Sequence, residues 1–225
     1  MGESCMGEML PQASDWLNAA LRPRDAPARI RASNKHHPAM RKQLGKKLVF
    51  APLPVLILGT YGDDGTPCAM NAAWGAQSDY SRVHVFLGPH KTTENLHARK
   101  AFTLSFADAA NVVPADYVGI VSGAKVPDKV ARAGWHAVKS RKVDAPIFKE
   151  LPLALECTVE DLIEEDGGYI LVGAVQGMSA DERILTKGKV DLDKLKPIAF
   201  DSAAAAYRTL GPVIAPAFKA GKAIK

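Results

Sequence analysis

Lys91-Thr92-Thr93 opens a candidate helix shortly after the apolar run Val83 to Leu87. An ammonium, two hydroxyls and the free N–H groups of a helix start converge there on one strand end, a composition suited to phosphate. His97 belongs to the same helix. The plainer account is a capped surface helix that carries a lysine. Upstream, Met70-Asn71-Ala72-Ala73-Trp74 follows a turn signal. Its small side chains let backbone N–H and C=O groups approach a flat ligand, and Asn71 offers ring edges both a donor and an acceptor. The alanines of an ordinary hairpin read the same way, and Trp74 suits either a flat ligand or a core position with its indole N–H bonded. Combined, one segment suits a planar ring and the other its phosphate, the pairing that a flavin mononucleotide requires. Cys68 lies beside the ring segment, but no neighbouring His or CxxC partner would lower its pKa, so it reads as a small buried hydrophobe, as does Cys157.

Strands must hold those segments in place. Val55 to Tyr61, Cys68 to Trp74, Val83 to Leu87 and Phe102 to Phe106 are strand candidates, the first two divided by the turn Gly62-Asp63-Asp64-Gly65. Lys91 to Lys100 reads as a helix with Thr92 or Thr93 capping its start. Ala109 to Ser122 and Val126 to Ala133 read as short helices around Gly123. Leu151 to Val159 and Tyr169 to Val175 return to strand, with Leu162 to Gly168 as a polar hairpin connection. A last helix is expected around Ala203 to Leu210. Short strands with interposed short helices and no regular alternation predict a mainly β architecture, a barrel rather than a doubly wound sheet. No Gly-x-Gly-x-x-Gly follows a strand and no Walker-type loop is present.

The chain of 225 residues has ordinary globular composition. No apolar run approaches the roughly 20 residues of a membrane span, and the opening Met1 to Glu8 lacks the basic segment of a signal peptide. A soluble, cytoplasmic protein without membrane association is expected. Three widely spaced cysteines fit reduced thiols and no metal site. The net charge is +5, yet nine Lys or Arg against the single acid Asp25 fall between Arg22 and Lys47. Residues 1–47 therefore read as a basic, loosely structured extension, and residues 48–225 as the domain, its core starting near Leu48. Without interleaved aromatics, nucleic acid is disfavoured as the arm's partner, and packing over a partner subunit is favoured. His36 and His37 read as surface residues.

A resemblance becomes specific when these pieces are taken in order. Pro54-Val55, Gly59-Thr60, Gly65 and Met70-Asn71-Ala72-Ala73-Trp74 come first, then Lys91-Thr92-Thr93 with Asn95, and Phe102. Asp116-Tyr117-Val118-Gly119, Ser122-Gly123, Asp128-Lys129 and Gly134 follow, then Ala145-Pro146, Glu150 and Leu155-Glu156-Cys157. This order resembles the flavin-reductase-like family that includes flavoredoxins, over roughly Lys47 to Lys222. The resemblance implies an FMN-binding split β-barrel and a homodimer, with the flavin held noncovalently near the subunit interface. It places Met70, Asn71, Ala72, Ala73 and Trp74 along the isoalloxazine, and Lys91, Thr92, Thr93 and His97 at the phosphate. The implied activity is that of a flavin-dependent oxidoreductase, passing electrons from NADH, NADPH or a protein redox partner through FMN to an acceptor. Nicotinamide-using members often carry Gly-Asp-His where this chain has Gly167-Gly168-Tyr169, so an FMN electron carrier without its own nicotinamide site stays open as the alternative. Ala107-Asp108 replaces the family's polar turn after Phe106. Ser122-Gly123 and Asp128-Lys129 match a family signature, and a helix–loop–helix held by a salt bridge accounts for them equally well. Haem ligation through His84, His90 or His97 has no supporting spacing.

Overall fold

The computed structural model describes residues 41–46 and 48–224. Most of the basic arm, including His36 and His37 and a short helix expected over Ser14 to Ala20, lies outside the described residues. No helix among the described residues is long and apolar enough to cross a membrane.

Alternating apolar side chains let single strands serve two cores. β1 (Leu53–Pro54) leads into β2 (Leu56–Tyr61), and β3 (Pro67–Ala72) pairs antiparallel with β2 across the predicted turn. Leu56 and Leu58 of β2, with Met70 and Ala72 of β3, join the barrel interior. Ile57 and Ala69 face the other way, into a second core. β4 (Gly75–Gln77), β5 (Arg82–Leu87) and β6 (Ala101–Phe106) follow, with helix α1 (Lys91–Arg99) between β5 and β6. Helices α2 (Val112–Ile120) and α3 (Lys129–Arg132) come next, then the small hairpin β7 (Ala137–Lys139) and β8 (Pro146–Phe148). Two long strands, β9 (Leu153–Glu165) and β10 (Gly168–Ala180), complete a curled sheet in the order β3-β2-β6-β9-β10-β5-β4. Every pairing in it is antiparallel. β3 and β4 are its two borders, so the sheet stays open along a seam beside β3.

α2 and α3 cover the outer face of β2 and β3, burying Val118, Val130, Trp135 and Phe148 against Ile57. Trp135 donates its indole N–H to Asn111 Oδ1 at 3.2 Å. Gly59 sits where the small hairpin crosses β2: a Cβ there would meet Thr103 Oγ1 at 2.6 Å and the Pro146 carbonyl at 2.8 Å.

The chain ends with β11 (Leu185–Thr186), β12 (Lys189–Val190), helix α4 (Leu192–Leu195), β13 (Ile198–Asp201) and β14 (Ala206–Thr209). Four expectations change here. Ala203 to Leu210 is no helix: the Asp201 carboxylate accepts the N–H groups of Ala203 and Ala204, turning the chain so that β14 pairs with β13. Local hydrogen bonding to a side chain overrides the helix propensity of alanine. The core begins at Leu53, since Leu48, Val49 and Phe50 are exposed. Leu162 to Glu165 is strand rather than connection, because β9 and β10 run on to a tight turn at Asp166-Gly167. Lys129 binds no acid among the described residues: Asp128 pairs with Arg132 at 2.9 Å instead.

Candidate functional site

The start of α1 is built by a reciprocal cap. His90 is the N-cap, and Thr93, at the third helical position, accepts the His90 N–H at 2.9 Å through its hydroxyl. Thr93 is thus the inward half of the cap rather than the capping residue, a correction to the expected Thr92 or Thr93 start. Thr92 is buried, its hydroxyl 4.0 Å from Cys68 Sγ. The N–H groups of Lys91 and Thr92 find no acceptor among the described residues. Two side chains fix the helix to the sheet. Asn95 donates to Thr60 Oγ1 at 3.0 Å, both residues being buried. Arg99 donates to the carbonyls of Gly62 and Asp63 and pairs with Asp144 at 3.0 Å, which holds the β2–β3 turn against the helix end.

Lys91 lies at the helix start with its ammonium on Glu94 at 3.0 Å, and that carboxylate raises its pKa. Asp64 is occupied by the N–H and hydroxyl of Thr66, which lower its pKa. Between these groups opens a cavity of about 390 Å³. Its walls are the β2–β3 turn, the start of β3 at Pro67 and Cys68, the α1 residues Lys91, Glu94 and Asn95, and the loop residues Gly123, Ala124 and Pro127. A larger hollow of about 500 Å³ lies at the opposite barrel end, by the first residues of β2 and β5. Its lining is apolar at Leu104, Phe106 and Met178 and polar at Gln77, Asp79, Arg82 and His84, and it holds none of the predicted site residues. The smaller cavity is the one that sets a cation, Lys91, beside the start of a helix, the combination suited to a phosphate.

Along β3 the predicted ribbon divides. Met70 and Ala72 point into the barrel interior, so what they offer outside is backbone. Because β3 is a border strand, alternate N–H and C=O groups on its open side face no strand among the described residues. Asn71 turns toward α2, donating through Nδ2 to the Ala115 carbonyl at 3.1 Å. α2 packs so closely that a Cβ on Gly119 would lie 2.9 Å from Asn71 Cβ. Nearby, Tyr207 donates its hydroxyl to Asp116 at 2.7 Å. Ala73 follows β3 half-buried, and Trp74 is 65 % exposed.

The structure therefore brings Lys91 to one cavity wall with Cys68 and Gly123, and buries Thr92 behind it. His97 is not on that wall; its ring meets Tyr169 edge-on, centroids 5.5 Å apart. Cys157 is fully buried, and desolvation pushes its thiol up to about 12. Sequence reasoning overlooked the acids Asp63, Asp64 and Glu94 at the cavity mouth. The Asp-Asp turn and the Lys91–Glu94 spacing were the available signals.

A family model described as "Flavin reductase like domain" matches residues 49–194. Flavoredoxin of Desulfovibrio vulgaris (Miyazaki F) is 34% identical, with a TM-score of 0.76 over 81% of this chain and 100% of that one. Flavoredoxin from Methanosarcina acetivorans is 27% identical, with a TM-score of 0.77 over 83% of this chain and 100% of that one. An uncharacterised protein of Aeropyrum pernix is 24% identical over 136 residues, 59% of this chain, and the chain spans about half (51%) of that relative's length. The open seven-stranded barrel, the helix start beside β3 and a family match over most of the chain lead to one conclusion: this chain belongs to the flavin reductase like family.

Proposed function

We propose that the protein binds FMN and acts as an oxidoreductase of the flavin reductase and flavoredoxin type. The observation that carries this reading is the cavity in which the first β3 residues, Pro67 and Cys68, meet Lys91 at the start of α1; Met70 to Trp74 run on along and past the β3 border, beyond its lining. Its volume falls within the range of small-ligand sites. Lys91 and the first turn of α1 would hold the phosphate, and the backbone of Asn71 to Ala73 would lie along the ring. To do so Lys91 exchanges Glu94 for the phosphate. When bound, FMN supplies the electron chemistry, and the chain contributes orientation and a fixed set of hydrogen-bond donors. Electrons come from NADH, NADPH or a protein donor and leave to an acceptor. The test is the absorption spectrum of the protein as isolated, identification of any released cofactor, and titration of FMN followed by flavin fluorescence. Colourless protein with no fluorescence change on titration refutes the reading.

Tyr169 favours a second reading, an FMN electron carrier without a nicotinamide site. Its ring is engaged with His97 at the position where the family's nicotinamide users often place a histidine. Anaerobic rapid mixing with NADH and NADPH separates the two, since fast bleaching of bound flavin by either excludes the pure carrier. A homodimer is also part of the proposal. It is supported by an outward apolar row in which Trp74 sits beside Phe86, Phe86 opposite Ile170, and Ile170 opposite Ile163. Light scattering at micromolar concentration tests it, and a monomer mass would refute it.

A further inference from the structure

Lys129 is 3 % exposed, and no carboxylate among the described residues lies within ion-pair distance. Its ammonium instead donates to the carbonyls of Val118 at 2.9 Å and Val121 at 2.8 Å. These are carbonyls at the C-terminal end of α2, groups that a helix end leaves open. A buried cation at that end also opposes the negative pole of the helix. The chain then turns through Ser122 and reaches Gly123, where three parts of the site come together. A Cβ on Gly123 would lie 2.9 Å from Cys68 Sγ, 3.5 Å from Lys129 Cε and 3.7 Å from Lys91 Cβ. Gly123, Ala124 and Pro127 form the cavity wall that faces Lys91. Burial lowers the Lys129 pKa, as expected for a cation whose partners are carbonyls alone.

We propose that Lys129 is the positioning residue of this cavity, its buried ammonium fastening the end of α2 and so setting where the Gly123 to Pro127 wall stands against Cys68 and Lys91. The proposal rests on the FMN reading only for its second measurement. The first needs no cofactor: the full chain is treated with N-ethylmaleimide, and labelling of each cysteine is followed by peptide mass spectrometry. Lys129→Met labels Cys68 about tenfold faster, the scale of losing one charged hydrogen bond, while Cys157 stays protected. Lys129→Arg, which keeps a cation with several donors, restores slow labelling. Equal acceleration at Cys157 would mean general loosening and overturn the proposal, as would an unchanged rate at Cys68.

In the second measurement FMN and riboflavin are titrated in parallel. Lys129→Met weakens FMN about tenfold and leaves riboflavin unchanged, because the displaced wall faces the phosphate end. Equal losses for both flavins overturn it. If the parent protein takes up neither flavin, the FMN reading fails while the labelling result stands on its own. Should Lys129→Met not fold, Gly123→Ala moves the wall directly by forcing a contact on Cys68. It must then weaken FMN selectively, and unchanged FMN affinity refutes the proposal.

Discussion

Glu94→Gln removes the carboxylate that Lys91 holds at 3.0 Å and that, in the proposed binding mode, the FMN phosphate would displace. The side chains are 34% and 68% exposed, so the pair lies in solvent and is worth about 0.2–1 kcal/mol. That competition disappears in the variant, and FMN affinity rises about 1.5- to 5-fold. Riboflavin has no phosphate, and its affinity stays put. The gain shrinks as salt is raised, since exposed charges are screened over about 10 Å at 0.1 M. Stability moves the other way. Glu94 lies in the first turn of α1, where a negative charge is favourable by about 0.3–1 kcal/mol, so the melting temperature falls slightly. Fluorescence titrations of both flavins at low and high salt, beside a thermal melt, check each part. An equal gain for riboflavin, or weaker FMN binding, would show that Lys91 does not meet the phosphate.

Gly59→Ala places a methyl against the Pro146 carbonyl and Thr103, and overpacking there lowers stability by about 1–3 kcal/mol in chemical denaturation. Arg99→Met frees the β2–β3 turn from α1, costing about 1–3 kcal/mol of stability, with faster amide exchange at Asp63 and Asp64. Tyr207 has its pKa raised to about 12, chiefly by burial and then by Asp116. The folded state holds that proton more tightly than the unfolded one, whose value is near 10.0. Its contribution is therefore complete below pH 10 and is lost as pH climbs toward 12. Tyr207→Phe flattens the melting temperature across this window, and an unchanged alkaline slope would count against the assignment.

The barrel strands were legible because alternation and turn chemistry are local: Gly62-Asp63-Asp64-Gly65 announces the β2–β3 reversal, and Lys91-Thr92-Thr93 announces the start of α1, although the cap itself is His90 rather than a threonine. The tail misled because Ala203 to Ala205 carries helix propensity, while the Asp201 side chain and the β13 partner strand decide its shape. The burial of Met70 and Ala72 was beyond reach for a related reason. Which face of β3 turns inward depends on the strands that close around it, and small residues suit either face. Lys129 stood out as a motif, but its carbonyl partners are 8 and 11 residues away on another helix, and no spacing rule marks a contact made by tertiary packing.

The open seam beside β3 has a cost for the empty protein. Main-chain groups that would lie along the ring in the proposed site are, among the described residues, equally free for a stranger's strand, and an unpaired sheet margin is where neighbouring molecules add on. On the proposed FMN reading, loading the flavin also guards against self-association: preparations stripped of it should scatter more light on storage than loaded ones, and resupplying FMN should halt the growth.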